Sequence, residues 1–574
     1  MTKHESNIGQ YSESHRFGEE IIKVRFRKAS APDKPGSRYR GFNPGTTRLK
    51  KGTVAAPGAL PIPCDIIFER DVEVRLRDGT VIYVDIFRPA DVTPETGIPT
   101  IVGWGPFGKQ GAIFVLDDFP GRAGVPKGAV SELQAWEAPD PAYWCSHGYA
   151  VVNPDPRGVG NSGGNILHWG KAEGRDGYDL IEWIAGRDWS NGKIGMAGNS
   201  WLAILQWFIA AEQPPHLTAI APWEGNIELY RCDVLRGGIP NTKFNSSIIS
   251  QLYGPNLIED VPAMVEAYPL MNGYWEDKRA SLESIKVPAY IVASYFGHHT
   301  LDAFQRIGCG EKWLRIHNTN EWADFYNQKN TEDLRKFFDH YLYGKDNGWE
   351  KTERVRLTVY DMGHKDIVNR PEKDWPINGT EYKRLYINTA DNSLSDIGAE
   401  NESSISLTDG KVDFTLDFEK KTELTGYFMI RLWVEVVGSD DSDVYVILDK
   451  LDKHGNLLSA GMPPFVCSGT NGQIRISHRK KDRDKSTPWL PILSHKTEEK
   501  LVQGQIVSVD ISMRPIGMIW HENEKLRITI SGRDLAGSAF YNPEFEESGE
   551  KRAELRIYSG GKYDSYLQVP EIVK

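Results

Sequence analysis

Between Thr100 and Trp223 the chain alternates short, wholly apolar runs with helix-periodic segments, and that alternation restricts it to one layer architecture. "TIVGWGPFG" and "YAVVNPDPRGVGNSGG" each end in a Gly/Pro-rich loop, as strands buried on both faces do. "GRDGYDLIEWIAG" then reads as an amphipathic helix with Tyr178, Ile181 and Ile184 on one side. "KIGMAG" returns to a strand, "SWLAILQWFIAAEQPP" is a helix halted before Pro214-Pro215, and "LTAIAPW" is a further strand. Strands that alternate with helices need a parallel sheet covered on both faces, a doubly wound α/β layer. Ahead of it, "DVEVRLRDGTVIYVDIFRP" has the alternation and the Asp78-Gly79 turn of a β-hairpin.

A chain of 574 residues exceeds one compact core, so several domains are expected. Residues 1–64 are polar and rich in Pro, Gly and basic side chains, and read as an extended arm on the body or on a partner subunit. The α/β domain is expected over residues 65–225 and 285–350. The strand rhythm stops in "LIEDVPAMVEAYPLMNGYWEDKRASLESI", so residues 226–284 are expected to form a helical cap inserted into that domain. From residue 354 to 574 short strands follow one another, "VRLTVYDMG" first, as in an all-β sandwich, most simply a jelly roll.

Net charge is −11, from 68 basic and 79 acidic residues, which disfavours a nucleic-acid or anionic-membrane partner. The longest apolar run, "WLAILQWFIAA", is short of the ~20 residues that span a bilayer. The first residues carry no apolar signal segment. Cys64, Cys145, Cys232, Cys309 and Cys467 are scattered, odd in number and without C-x-x-C spacing, which suits a reducing compartment. These features together read as a cytoplasmic protein. The arm and the exposed sandwich edges suggest a homo-oligomer.

The chemistry is concentrated in "NGKIGMAGNSWLAILQW". Ser200 lies between a strand and a helix, with Gly198 two residues before it. Such a turn lifts a hydroxyl above the sheet and sets the next backbone N–H, that of Trp201, at a helix N-terminus where it can donate to an oxyanion. Leu202 stands where the usual G-x-S-x-G has its second glycine. The same pattern also suits a plain N-cap serine. A serine nucleophile needs a base and an orienting acid from elsewhere in the chain.

The surrounding text resembles the cocaine-esterase-like (CocE/NonD) and X-Pro dipeptidyl-peptidase hydrolases. Their D-x-R-G-x-G-x-S-x-G and W-s-N-G-x-V-G-x-x-G-x-S-Y patterns are met by Asp155, Arg157, Gly158, Gly160, Ser162, Trp189, Asn191, Gly192, Gly198 and Ser200. Asp176, Ile181 and Trp183 match the segment between them. "LTGYFMIRLWVEVVGSDDSDVYVILDKLDKHGN" resembles the family's β domain, so the likeness runs from about residue 65 to 570. It implies an α/β-hydrolase core with a helical cap, a C-terminal jelly roll, and hydrolysis of a small-molecule ester or amide through an acyl-serine, with no metal and no cofactor.

Four positions depart from the family. Trp201 replaces the tyrosine after the nucleophile, and Phe107, in "GWGPFGK", replaces a tyrosine whose hydroxyl completes the oxyanion hole. The family's acid follows the next-to-last core strand, but "VASYFGHHT" has Ser294 roughly there and no acid. The family's histidine follows the last strand, but in "IHNTNEW" Glu321 takes its place. Three arrangements stay open. In one, the loops exchange roles, with His298 or His299 as base and Glu321 as orienter. In the second, His317 is the base beside Glu321 or Asp324. In the third, the triad is lost and the fold serves a binding or scaffolding role. An X-Pro aminopeptidase would further need carboxylates for the substrate ammonium, for which Glu224 and Glu228 are candidates. Tyr268, Tyr274, Trp275, Trp223 and Trp104 suit either an apolar pocket or the core, while His364 and His521 read as turn histidines of the β domain.

Overall fold

The computed structural model describes residues 10–34, 38–92, 97–109, 113–295, 298–407, 410–462, 465–535 and 553–573. The first 64 residues hold three strands, β1 (Tyr11–Phe17), β2 (Glu20–Lys28) and β3 (Gly45–Leu49). The α/β domain then runs β4 (Ile66–Arg75), β5 (Val81–Pro89), β6 (Ile98–Val102), α1 (Pro141–Ser146), β7 (Ala150–Asp155), α2 (Lys171–Ala185), β8 (Ser190–Asn199), α3 (Trp201–Ala211) and β9 (Leu217–Trp223). The cap contributes α4 (Lys243–Gln251), β10 (Leu257–Glu259), α5 (Val261–Ala267) and α6 (Gly273–Asp277). The α/β pattern resumes with β11 (Ala289–Ser294), α7 (His298–Arg306), β12 (Lys312–His317), α8 (Glu321–Phe325), α9 (Gln328–Tyr343), β13 (Val355–Val359) and β14 (Ile367–Glu372).

Strands β3 to β9 and β11 to β14 form one eleven-stranded sheet in the order β14-β13-β12-β11-β9-β8-β6-β7-β5-β4-β3. The wholly buried runs of β6, β7 and β11 lie in its parallel centre, where both faces are covered and no alternation is required. The β4–β5 pair turns at Asp78-Gly79, where Gly79 takes φ 86°. Helix α3 is buried along nearly its whole length, between the sheet and α2. Gly177 on α2 permits this approach, since a Cβ there would lie 2.3 Å from Ile209 on α3.

The segment read as an extended arm is folded onto its own chain. The β1–β2 hairpin joins β10 of the cap in a three-stranded sheet, and β3 edges the large sheet beside β4. A second difference lies at the other boundary. Val355–Val359 was expected to open the all-β domain, but β13 pairs in parallel with β12 and so belongs to the hydrolase sheet. A five-residue apolar alternation is compatible with either sheet, and only its partner decides. The antiparallel all-β domain follows, from Thr380–Asn388 to Tyr566–Ile572. It grips β13 directly, because the Tyr360 N–H donates to Gly517 O (2.8 Å) and the Ile519 N–H donates to Tyr360 O (3.0 Å). Among the described residues no helix is long and apolar enough to cross a membrane.

The loop after β6 is pinned by a buried ammonium. Lys109 Nζ lies 2.5 Å from Asp71, 3.2 Å from Asp155 and 3.6 Å from Asp85, all of them buried. Burial pushes the Asp85 carboxyl up to about 7 against the pull of Lys109. Removing one partner of a buried ionic set leaves uncompensated charge and costs about 3–5 kcal/mol. Lys109→Met should therefore lower the free energy of unfolding by about that much in urea titration; an unchanged midpoint would show the cluster to be neutral to stability.

Candidate active site

Ser200 ends β8 and precedes α3 with φ 55° and ψ −121°, a conformation that L-residues rarely adopt. Two contacts hold it there. The Ser200 N–H donates to Trp223 O at the end of neighbouring β9 (2.9 Å), and Ser200 O caps the helix by accepting from Ala203 and Ile204. Leu202 is accommodated where a glycine is usual because its neighbours are glycines. A Cβ on Gly198 would lie 2.5 Å from Leu202, and one on Gly105 2.3 Å from it. As the first residue of α3, Trp201 has no intrahelical acceptor for its N–H, which leaves that donor at the positive end of the helix.

Aromatic side chains surround the turn. The Trp201 ring meets Phe107 at 5.9 Å, Trp169 at 5.6 Å and the imidazole of His168 at 4.6 Å. Phe107, Trp136, Gly105 and Leu202 line a small cavity beside it. Phe107 has no hydroxyl, so its place in the ring of contacts is apolar. The aromatics expected from the sequence fall elsewhere. Trp104, Trp223, Tyr274 and Trp275 are fully buried core side chains, and Trp275 Nε1 donates to Tyr268 O. His168 was not foreseen. It is buried, and burial with the nearby Lys278 charge pushes its imidazole well below the usual range.

The loop after β12 folds back to the serine. Glu321, in the first turn of α8, accepts from Asn199 Nδ2 at 3.0 Å, and Asn199 is the residue before Ser200. The other Asn199 Nδ2 hydrogen reaches Glu137 Oε1 at 3.4 Å, which also accepts from Trp322 Nε1 at 2.8 Å. Burial and the Glu224 charge push the Glu321 carboxyl up to about 7, and burial with the Glu321 charge pushes Glu137 well above its usual range. Glu137 and Asn199 carried no motif signal, because their meeting is made by chain distances of 62 and 122 residues.

Among the described side chains, His317 and His299 face carboxylates other than Glu321. His317 is buried at the end of β12, with Nε2 2.9 Å from Glu224 Oε1 and Nδ1 3.8 Å from Asp324 Oδ1 and 3.3 Å from Thr319 Oγ1. Burial alone would lower its pKa, but Asp324 and Glu224 outweigh it and raise it. His317 thus has an acidic or hydroxyl neighbour at each ring nitrogen. Asp324 is itself held by a paired contact with Arg315. His299 faces Asp302, at 3.6 Å from Nδ1, rather than Glu321, and Asp302 also accepts from Tyr427. The His298 side chain lies outside the described residues. Its helix is nonetheless seated close to the serine: Thr300 Oγ1 donates to Gly225 O, and a Cβ on Gly225 would lie 2.9 Å from Ala203 in the first turn of α3. Glu228 is paired with Arg231 at 3.0 Å, and Glu224 accepts from the Ser294 N–H as well as facing His317.

Glu321 thus favours the neutral form in the fold, so its contribution to stability falls as pH rises from the ordinary carboxylate range through about 7. Glu321→Gln should melt several degrees above the wild type at pH 8 and at the same temperature at pH 4.5. Equal melting at both pH values would remove the buried-carboxyl argument.

The same architecture occurs in known proteins. Residues 78–263 match the X-Pro dipeptidyl-peptidase (S15 family), and residues 347–568 match the X-Pro dipeptidyl-peptidase C-terminal non-catalytic domain. The crystal structure of a CocE/NonD family hydrolase from Staphylococcus aureus is 31% identical, with a TM-score of 0.84, covering 95% of this chain and 98% of that one. Cocaine esterase from Rhodococcus sp. is 25% identical over 55% of this chain and 62% of its own length. An aminopeptidase from a marine sediment archaeon, at 14% identity and a TM-score of 0.63 over 95% of this chain and 99% of that one, shares the fold.

Proposed function

This chain belongs to the CocE/NonD family and is a serine hydrolase, and from that premise we propose that Ser200 is the nucleophile, the Trp201 N–H an oxyanion donor, and Glu321 the proton acceptor. The observation that carries this reading is the Asn199–Glu321 hydrogen bond, which brings a carboxylate to the turn that bears the serine. A carboxyl whose pKa is raised to about 7 is matched to general base work at neutral pH.

Ser200 Oγ attacks the substrate carbonyl while its proton passes to the Glu321 carboxylate. The oxyanion of the tetrahedral intermediate takes the Trp201 N–H. Glu321 then returns its proton to the departing alkoxide or amine, leaving an acyl-serine. Water attacks that ester, again giving a proton to Glu321. The acid leaves and Ser200 recovers its hydrogen. The contacts of Phe107, Trp136 and Trp201 beside the turn are apolar, which favours an uncharged acyl group. An X-Pro substrate with a free ammonium is less favoured, since Glu224 and Glu228 already have basic partners.

A second reading makes His298 the base, with Glu321 as its orienter. The seating of α7 over the first turn of α3 through Thr300 and Gly225 favours it. We also infer a cytoplasmic setting, supported by five free thiols, which suit a reducing compartment.

A fluorophosphonate probe should label the wild type and leave Ser200→Ala unlabelled. Glu321→Gln should lower kcat on an aryl ester by roughly a thousandfold. His298→Ala should keep kcat if Glu321 is the base and abolish it if the imidazole is. In the wild type kcat/KM should fall as pH drops below about 7, because the base must be ionised. Full activity of Glu321→Gln would remove Glu321 from the reaction under either reading.

A further inference from the structure

Two histidines that the reaction does not use meet at the seam between the hydrolase sheet and the β domain. Asp361 and His364 lie on the turn that leaves β13, and His521 lies on the tight turn between the β-domain strands Ile516–Trp520 and Lys525–Ser531. His521 Nε2 is 2.9 Å from Asp361 Oδ1 and 3.1 Å from Oδ2. The rings of His364 and His521 are 4.1 Å apart, and one donor atom from each of the three residues lies within 4.8 Å of the other two.

We propose that Asp361, His364 and His521 form a binding site for a divalent transition-metal ion of the zinc type, which clasps the β domain to the hydrolase sheet. Two imidazoles and a carboxylate are the donors that zinc and its neighbours prefer, with bonds of about 2.0–2.2 Å. A metal replaces the hydrogen now shared between His521 and Asp361, at a donor separation only slightly wider than the present one. His364 completes the site by side-chain rotation, for which its position leaves room: its side chain is 48% exposed.

Lys450 is fully buried, with Nζ 2.9 Å from Glu524, 3.5 Å from Asp361 and hydrogen-bonded to Met362 O. Glu524 lies 3.5 Å from His364 and accepts from the His521 N–H. Lys450 compensates one of the two carboxylates, Asp361 and Glu524, and leaves the other for a cation. Glu524 remains with Lys450, so the fourth metal position is open to water.

The site is tied to the catalytic loop. Asp366 accepts from the Asp361 N–H at 2.9 Å and from Asn318 Nδ2 at 2.8 Å, and Asn318 follows His317. An ion bound at Asp361 therefore braces the segment that leads to Glu321.

The full-length protein, stripped with chelator, is titrated calorimetrically with Zn²⁺, and Co²⁺ serves as the spectroscopic probe. One ion per chain is expected, with a visible Co²⁺ band and a rise of several degrees in Tm that chelator reverses. His364→Gln and His521→Gln should each weaken binding at least tenfold and lose the Tm rise. His364→Gln alters an exposed side chain and should melt as the metal-free wild type does, which separates lost binding from lost folding. Absence of stoichiometric binding in the wild type, or binding that persists in the double variant, overturns the site. Ser200→Ala should bind the ion as the wild type does, so the result stands apart from the hydrolase chemistry.

Discussion

The left-handed turn at Ser200 is the constraint to which the neighbouring sequence conforms. A β-carbon in that conformation meets the backbone and costs about 1–3 kcal/mol, so it persists only where packing fixes it. Here the fixing is parallel-sheet geometry: β9 supplies the carbonyl that holds the Ser200 N–H, and α3 is packed on the sheet by apolar side chains and by the buried Gln206 amide, which donates to Ala221 O and accepts from the Ala221 N–H on β9. Gly198 and Gly105 are then required, because Leu202 fills the space their side chains would take. Leu202 fits where a glycine is usual because Gly105, on the opposite loop, leaves it room. That loop is in turn anchored by Lys109 among three aspartates.

Electrostatics decide which group near the serine can move a proton. Three carboxylates lie there, Glu137, Glu224 and Glu321, and His317 stands beside Glu224. Glu224 has a backbone N–H and His317 to hold its charge. Glu137 is the deepest and is crossed by Trp322 and Asn199, so it holds its proton. Glu321 has one amide donor, and burial with the Glu224 charge raises its carboxyl to about 7, which leaves it balanced between its two forms near neutrality. At this loop, where the family has a histidine, burial first and the Glu224 charge second bring the Glu321 carboxyl toward the titration range an imidazole has by nature.

The α/β layer was legible because buried parallel strands and amphipathic helices have different periods, and the Asp78-Gly79 hairpin because its turn chemistry is local. The serine turn was legible for the same reason: its signal lies within three residues of Ser200. What the sequence hid is what depends on distant pairing. Val355–Val359 has the alternation of either sheet, and β12 alone assigns it. His317 stood in the sequence as a candidate base, but Glu224, 93 positions earlier, claims its Nε2. His364 and His521 read as separate turns, although Asp361 and His521 are 160 residues apart in the chain and in contact in the fold.

These long-range pairings give the β domain a part in the site that its sequence does not declare. It holds β13 through the main chain at Tyr360, and the Tyr295 hydroxyl, just past β11, donates to Thr358 O on the same strand. A Cβ on Gly517 would lie 2.6 Å from that hydroxyl, so the two domains meet without a spacer. Strands β11 and β12 end in the loops that carry His298 and Glu321, and β13 is the strand against which β12 rests. The β domain thus bears on β13, the strand paired with the one that leads to Glu321. A change in the β-domain seam should act on the geometry at Ser200 through β13 and β12, with no contact to the serine itself.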